Sequence, residues 1–307
     1  MKNSLAYSNG CWLPTADVHL SMDDIGLLQG VVVVDRLRTL DHRVLDAQPH
    51  VDRFLRSCHA IGITPPPAGE LLAIIQRCLS ENRGKHFTRD FSLVVLATPG
   101  RVGAPRPLTL IVHPLEIRWP QLHAWYTVGQ ALTTATSRSV PAACWSPSIK
   151  TRNRLNYFLA DRQTQATTGD GNAAAVLQTL EGNLTETSAA NLLLVEGQRI
   201  ISPHAEDILW GVSLQRTLRL AAETGLEVVQ ANVPPNRAKA ADAIILCGTT
   251  GCLWSASRFD TTEFVSPSHH PVFRQLLDAW IADVGFDFVH QASMAQRSQP
   301  VSAVPPQ

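Results

Sequence analysis

Ser148-Ile149-Lys150-Thr151-Arg152-Asn153-Arg154-Leu155 decides how the rest of this chain is read. Lysine is scarce: Lys2, Lys85, Lys150 and Lys239 are the only four among 307 residues, so nearly all positive charge is arginine. Lys2 is terminal, Lys85 lies in the polar run Asn82-Arg83-Gly84-Lys85-His86, and Lys239 follows the polar Asn236-Arg237-Ala238. Lys150 differs. It follows Pro147-Ser148-Ile149 and precedes a predicted helix over 153–166, at a strand-to-helix junction in the second half of the chain. Burial at such a place penalises the charged form of the amine, lowers its proton affinity and makes it nucleophilic, the state a Schiff-base lysine needs. Taken by itself, a surface lysine before a helix is the plainer alternative.

Composition narrows the class. Twenty-six basic and 26 acidic side chains give a formal net charge of +0, which offers no long-range pull on nucleic acid or an acidic membrane. The 45% hydrophobic content is that of a globular protein, and at about 150 residues per domain the length suggests two domains. No apolar run approaches the roughly 18–20 residues that cross a bilayer. The first ten residues hold one lysine and no apolar stretch, so no signal peptide is expected. The six cysteines are scattered without C-x-x-C spacing, which fits reduced thiols and a cytoplasmic enzyme. There is no H-E-x-x-H, no G-x-S-x-G and no P-loop, and His269-His270 is the only adjacent histidine pair, so no metal site is expected. Gly169-Asp170-Gly171 follows a helix and precedes a strand, the reverse of a dinucleotide loop, and reads as a turn.

Periodicity gives an outline. Strands are predicted at 10–14, 31–38 and 43–45, helices at 50–61 and 68–79, and strands at 91–97 and 107–113. This smaller α+β half, 1–118, ends in a linker over 119–126, where Pro120 interrupts the pattern. The larger half, 127–291, alternates more. It has a strand at 126–136, the helix at 153–166, and hairpins pairing 173–178 with 184–187 and 192–196 with 199–202. A helix at 213–224, strands at 226–230 and 243–247, and an amphipathic helix at 271–283 complete it. The Ser/Gln/Pro-rich 292–307 reads as a disordered tail.

Further stretches change the weight of Lys150. Asp24-Ile25-Gly26-Leu27-Leu28-Gln29-Gly30, His50-Val51-Asp52-Arg53-Phe54 through Ser57, and Leu184-Thr185-Glu186-Thr187-Ser188-Ala189-Ala190-Asn191 stand in order along the chain. Ile208-Leu209-Trp210-Gly211-Val212-Ser213 through Arg216 and Gly248-Thr249-Thr250-Gly251 follow. With the lysine segment, this series over residues 22–255 resembles the class IV aminotransferases, the fold-type IV pyridoxal-phosphate enzymes. That family includes branched-chain and D-amino-acid aminotransferases and aminodeoxychorismate lyases. The resemblance implies a two-domain architecture, a pyridoxal 5'-phosphate cofactor and a homodimer.

It also implies roles. Lys150 would hold the cofactor as a Schiff base and carry the proton between substrate and cofactor. Glu186 would face the pyridine nitrogen and keep it protonated. Gly211-Val212-Ser213 opens a predicted helix, where free N–H groups favour an anion; with Arg53 and Thr249 it would take the phosphate. On the substrate side, Val34-Asp35 stands where family members have an aromatic residue followed by Glu, which removes the usual basis for assigning specificity. Arg36 and Arg38 share one strand face. On the inner face they would bind a substrate carboxylate, and on the outer face they are solvated. Arg101 and Thr250 are further substrate candidates, and Trp254 belongs either to a pocket wall or to the core.

The leading reading is therefore transfer of an amino group between a small amino acid and a 2-oxo acid. An aminodeoxychorismate lyase, eliminating pyruvate to give 4-aminobenzoate, shares Lys150 and Glu186, and Lys150-Thr151-Arg152-Asn153-Arg154-Leu155 is like its K-x-x-N-R-L pattern. A non-catalytic cofactor-binding or assembly subunit is the third reading. Retention of Lys150, Glu186 and Arg53 together speaks against it.

Overall fold

The computed structural model describes residues 4–103, 108–264 and 269–297. Along the chain the elements are β1 Leu5–Ser8, β2 Cys11–Pro14, α1 Ile25–Gln29, β3 Val33–Leu40, β4 Arg43–Val44, α2 Ala47–Ala60, α3 Ala68–Asn82, β5 Ser92–Thr98 and β6 Thr109–Leu115. Then come α4 Trp119–Thr127, β7 Gln130–Arg138, α5 Leu155–Thr168, β8 Ala174–Gln178, β9 Leu184–Thr187, β10 Asn191–Glu196 and β11 Arg199–Ser202. The last elements are α6 Val212–Glu223, β12 Glu227–Gln230, α7 Pro235–Ala240, β13 Ala243–Gly248, β14 Cys252–Phe259, β15 Thr262–Glu263, α8 Pro271–Val284 and α9 Phe288–Arg297.

The first half forms an antiparallel sheet in the order β2-β1-β6-β5-β3-β4. Strand alternation puts Val33 and Leu37 on the face covered by α2 and α3, where they meet Phe54, Leu71, Ile75, Leu93 and Val112. Val34, Arg36 and Arg38 therefore point the other way. The second sheet runs β12-β11-β10-β13-β14-β7-β8-β9, and β9 returns to pair with β10 through Asn191 and Glu186. That bridge closes a ring of six strands, and Leu192, Leu194, Ile244, Leu246 and Trp254 share one face of it, buried in the hydrophobic core.

Two boundaries differ from the sequence reading. Residues 119–126 are not a linker: 119–127 form α4, with Trp119, Leu122, Trp125 and Tyr126 buried. Pro120 sits in the first turn, where a missing N–H costs no hydrogen bond, so it starts the helix instead of breaking it. The following strand accordingly begins at Gln130 rather than 126, after a turn at Gly129 with φ +88°. A Cβ there would stand 2.8 Å from Ser257 N, so glycine is required. Residues 292–297 are also no disordered tail but the end of α9, whose Phe288, Ala292 and Ala295 are buried. The remainder of the predicted tail, 298–307, lies outside the described residues. The sequence reading also passed over β1, α1, α7 and β14.

Polar ties join the two sheets. Fully buried Arg38 donates to the Thr250 carbonyl and to Gln291 Oε1 at 3.2 Å. Gln291 Nε2 in turn donates to Asp90 Oδ2 at 2.6 Å. Arg216 of α6 pairs with Asp46 ahead of α2 and with Asp283 of α8, and lies over the Trp280 ring at 5.3 Å. Trp125 stacks on Trp254 with ring centroids 4.6 Å apart and planes 6° from parallel. Because α4 is core, Trp125→Ala is expected to lower unfolding free energy by about 3–5 kcal/mol. Urea denaturation checks this; a loss within about 0.5 kcal/mol, as for a surface position, would return 119–127 to the status of a surface connection.

Candidate active site

Lys150 is held by backbone pairing and one side chain. Its carbonyl accepts from Val34 N at 3.0 Å, Arg152 N donates to the Val32 carbonyl at 2.9 Å, and Lys150 N donates to Ser57 Oγ at 3.1 Å. The segment just before α5 is thus laid along the start of β3. The i, i+3, i+7 spacing of His50, Arg53 and Ser57 puts all three on one face of α2. The lysine lines a solvent-open pocket together with Glu186, Arg154, Tyr157, Trp145 and Leu209.

Glu186 is the most fully held carboxylate in this pocket. Its Oε1 accepts from Tyr157 Oη at 2.7 Å, and its Oε2 accepts from Asn191 Nδ2 at 3.0 Å and Leu209 N at 3.2 Å. Burial raises its pKa, an effect that Tyr157 and the Lys150 charge only partly offset. Burial likewise pulls the Lys150 ammonium down to about 7, reinforced by Arg53 and opposed by Asp35 and Glu186. An amine near 7 is substantially neutral at neutral pH. It can act as a nucleophile and can both take and give a proton.

Arg53 is buried and ion-paired. Its Nε and Nη2 donate to Asp35 Oδ2 and Oδ1 at 2.9 and 2.8 Å, and His50 Nδ1 lies 2.8 Å from the same Oδ1. Burial would raise Asp35, but Arg53 and His50 more than offset it and hold the carboxyl well below its ordinary range. The two bonds to Asp35 use Nε and Nη2, which leaves Nη1 outside that fork. Gly211 caps α6, followed by Val212 and Ser213 in its first turn; a Cβ on Gly211 would stand 2.3 Å from Asn191 Oδ1. Asn191 therefore links the Glu186 carboxylate, the Leu209 carbonyl at 2.8 Å and the approach to α6. Thr249 and Thr250 lie in the turn between β13 and β14.

The substrate candidates separate. Arg36 is half-buried on the face of β3 away from α2, with Nη1 3.4 Å from Thr250 Oγ1. Arg38, on the same face, is engaged inside the protein by Thr250 and Gln291. Arg101 is 62% exposed at its side chain and forks onto Asp23 at 2.9–3.0 Å, away from the pocket lining. Trp254 is 1% exposed, stacked on Trp125 and donating to Gln130 Oε1 at 2.9 Å, so it belongs to the core. Sequence reasoning gave no role to Tyr157, Asn191, Ser57 or His50. Tyr157 carries no local signal, because it meets Glu186 only in the folded chain, whereas Asn191 ends the Leu184–Asn191 stretch and faces Glu186 across the β9–β10 pairing.

Known proteins resemble this chain in sequence and fold. The profile of a family described as "Amino-transferase class IV" matches residues 32–259. A protein of Methanocaldococcus jannaschii named "Putative branched-chain-amino-acid aminotransferase" is 26% identical over 254 residues, 79% of this chain and 83% of its own. A D-alanine aminotransferase of Staphylococcus epidermidis is 22% identical over 280 residues, 88% of this chain and 94% of its own. Among solved structures, the branched-chain amino acid aminotransferase from Escherichia coli superposes with a TM-score of 0.79 at 18% identity. The match covers 92% of this chain and 94% of that one.

The Asp35 fork gives a stability prediction. Asp35→Asn leaves Arg53 buried without its counter-charge and is expected to cost about 3–5 kcal/mol at pH 7. Since the folded pKa of Asp35 is depressed, its contribution is complete above its ordinary value of 3.8 and is lost as pH falls through the folded value. Denaturation of both proteins from pH 7 down to acid should show the gap shrinking only below pH 3.8.

Proposed function

The chain belongs to the class IV aminotransferase family, and on that premise we propose that it is a pyridoxal-phosphate-dependent aminotransferase with Lys150 as its reactive amine. The reaction would move an amino group between a small amino acid and a 2-oxo acid. The observation that carries this reading is one pocket holding a lysine whose ammonium is pulled to about 7 and a carboxylate fixed by three donors. The relatives named above are aminotransferases, which favours transfer over lyase chemistry.

The residues present fit the cofactor. Arg53 keeps Nη1 outside its Asp35 fork, α6 begins at a glycine pressed against Asn191, and Ser213 and Thr249 add hydroxyls. We assign phosphate binding to Arg53, Gly211, Val212, Ser213 and Thr249. When bound, pyridoxal phosphate supplies an aldehyde that condenses with amines and a ring that accepts electrons from the substrate carbon. Glu186 holds a carboxylate oxygen ready for a ring N–H, and Tyr157, Asn191 and Leu209 keep it from rotating. Lys150 Nζ, half protonated near pH 7, takes a proton from the substrate α-carbon and returns one.

The wider assembly follows the same reading. The six-stranded sheet and the ring of strands are assigned to two domains, which meet where the Lys150 segment lies along the start of β3. A homodimer is supported by the exposed Leu155, Phe158 and Leu159, a turn of apolar side chains on α5. Six free thiols fit a reducing cytoplasm.

The test is the visible spectrum of the purified chain with added pyridoxal phosphate. A lysine-bound band that is discharged by some amino donor is expected, and Lys150→Ala should lose both the band and turnover. Borohydride-trapped loading should rise with pH through about 7 and level off above it, since the neutral amine reacts. No band in excess cofactor would overturn the reading. A band unmoved by every donor, yet discharged by aminodeoxychorismate with release of pyruvate, would replace transfer with elimination.

A further inference from the structure

The anchors assigned to the phosphate come from separate parts of the fold. Arg53 rides on α2, against the first sheet, whereas Gly211, Val212 and Ser213 open α6 on the second. One phosphate is gripped from both sides only while the spacing of the two helices is fixed, since a displacement of about 1 Å breaks a hydrogen bond. Arg216 is placed to fix it. It lies one turn beyond Ser213 on α6, and its guanidinium reaches toward α2 and α8 at once. Nε donates to Asp46 Oδ2 at 3.2 Å, Nη2 donates to Asp46 Oδ1, and Nη1 pairs with Asp283 of α8.

Asp46 departs from the ordinary behaviour of its position. It stands immediately before α2 with φ +52°, in the left-handed region that costs a residue with a side chain conformational energy. An aspartate there usually accepts from the free N–H groups of its own helix, yet the Asp46 side chain caps nothing. Its backbone carbonyl accepts from His50 N at 3.2 Å, and both carboxylate oxygens go to Arg216. Within α2 the strain and the missing cap gain nothing; what they provide is the link to α6. Two helical turns then join Asp46 to Arg53, and a third brings Ser57 to Lys150 N. On the α6 side, Arg216 lies over the ring of fully buried Trp280 at 5.3 Å. Trp280 Nε1 donates to Thr217 Oγ1 at 3.0 Å, and that hydroxyl donates to the Ser213 carbonyl at 2.8 Å. Asp283 also accepts from Arg219 Nη2 at 2.8 Å. With side chains 16% and 17% exposed, Arg216 and Asp46 are sheltered from most solvent screening.

We infer that Arg216 is a positioning residue: by holding Asp46 and Asp283 together it sets α2 against α6 at the separation where Arg53 and the opening turn of α6 grip one phosphate. The inference rests on the phosphate assignment proposed above and adds to it a side chain that never touches the ligand. Arg216 is too fully engaged to be a ligand itself, since Nε, Nη1 and Nη2 all face carboxylates. A clamp of this kind acts on binding of the phosphorylated cofactor and leaves binding of pyridoxal alone, because pyridoxal has no group for the two helices to share. That selectivity separates positioning from simple stabilisation of the fold.

The experiment compares Asp46→Asn, Arg216→Met and the double variant with the wild-type chain in two measurements. In the first, pyridoxal phosphate and pyridoxal are each titrated by the visible band. The wild-type chain should prefer the phosphorylated form, and each variant should lose about 10-fold of that preference, the loss for one weakened charge-assisted hydrogen bond. Affinity for pyridoxal should hold. The double variant should lose no more than the single ones, since both remove the same pair. In the second, hydrogen exchange is followed on the full chain without cofactor. Exchange should quicken in α2 and α6 of the variants, while β10 and β13 keep their protection and so verify an intact fold. Asp46→Asn leaves Arg216 its pairing with Asp283, and it decides the matter where Arg216→Met fails to fold. A preference retained in Asp46→Asn, or an equal loss of affinity for pyridoxal, overturns the inference. If the wild-type chain itself shows no preference for the phosphorylated form, the phosphate assignment fails and exchange alone decides the clamp: faster exchange in α2 and α6 supports it, and unchanged exchange overturns it.

Discussion

Two backbone hydrogen bonds, Val34 N to the Lys150 carbonyl and Arg152 N to the Val32 carbonyl, hold the rest of the site together. They attach a loop belonging to the second sheet onto a strand of the first. Without them the lysine would hang from a loop in water, and its amine would titrate as any exposed lysine does. With them, Lys150 is pressed into the cleft wall, and whatever lines β3 is automatically beside it. Asp35 meets Arg53 on the α2 side, while Arg36 lies on the opposite face, its Nη1 3.4 Å from Thr250 Oγ1. Geometry of this kind fixes electrostatics at no further expense, because backbone bonds do not depend on side-chain rotamers.

Charges around Lys150 are arranged in opposition. Arg53 discourages its proton, while Asp35 and Glu186 favour it, and burial tips the balance towards the neutral amine. Neither carboxylate is free to collapse onto the ammonium. Asp35 is committed to Arg53 and His50, and Glu186 to Tyr157, Asn191 and Leu209. A tight Lys–Glu ion pair would raise the amine's pKa and quench it. Engaging each acid elsewhere lets an acid and a base share a pocket while both remain available.

Much of this is legible in the sequence, for identifiable reasons. Leu184–Thr187 and Arg199–Ser202 have the boundaries predicted for them because Glu181-Gly182-Asn183 and Glu196-Gly197-Gln198 punctuate their hairpins. Lys150 and Glu186 stand out by rarity and by resemblance, and they do share a pocket. Helix α4 escapes the sequence reading because Pro120 looks like a breaker, although proline is welcome in a first turn. Helix α9 escapes it because two of its three buried contacts are alanines, which give little hydrophobic signal. Sequence cannot separate the fates of Arg36 and Arg38, since alternation places them on one face but says nothing of what that face meets. The structure answers differently for each: the deeper one is consumed by the Thr250 carbonyl and Gln291, and the half-buried one has a single long contact with Thr250 Oγ1.

The position of those partners has a consequence for synthesis. Arg38 lies near the start of the chain, yet its acceptors are the Thr250 carbonyl and Gln291, close to the end. A ribosome delivers the first sheet long before either acceptor exists. Until then a guanidinium destined for the interior has only water to bond. The first sheet must therefore wait, with that face open, for α9 to leave the exit tunnel. Native closure of that face is tied to the synthesis of α9, and a chain stopped before it would keep a buried-type guanidinium on an open seam.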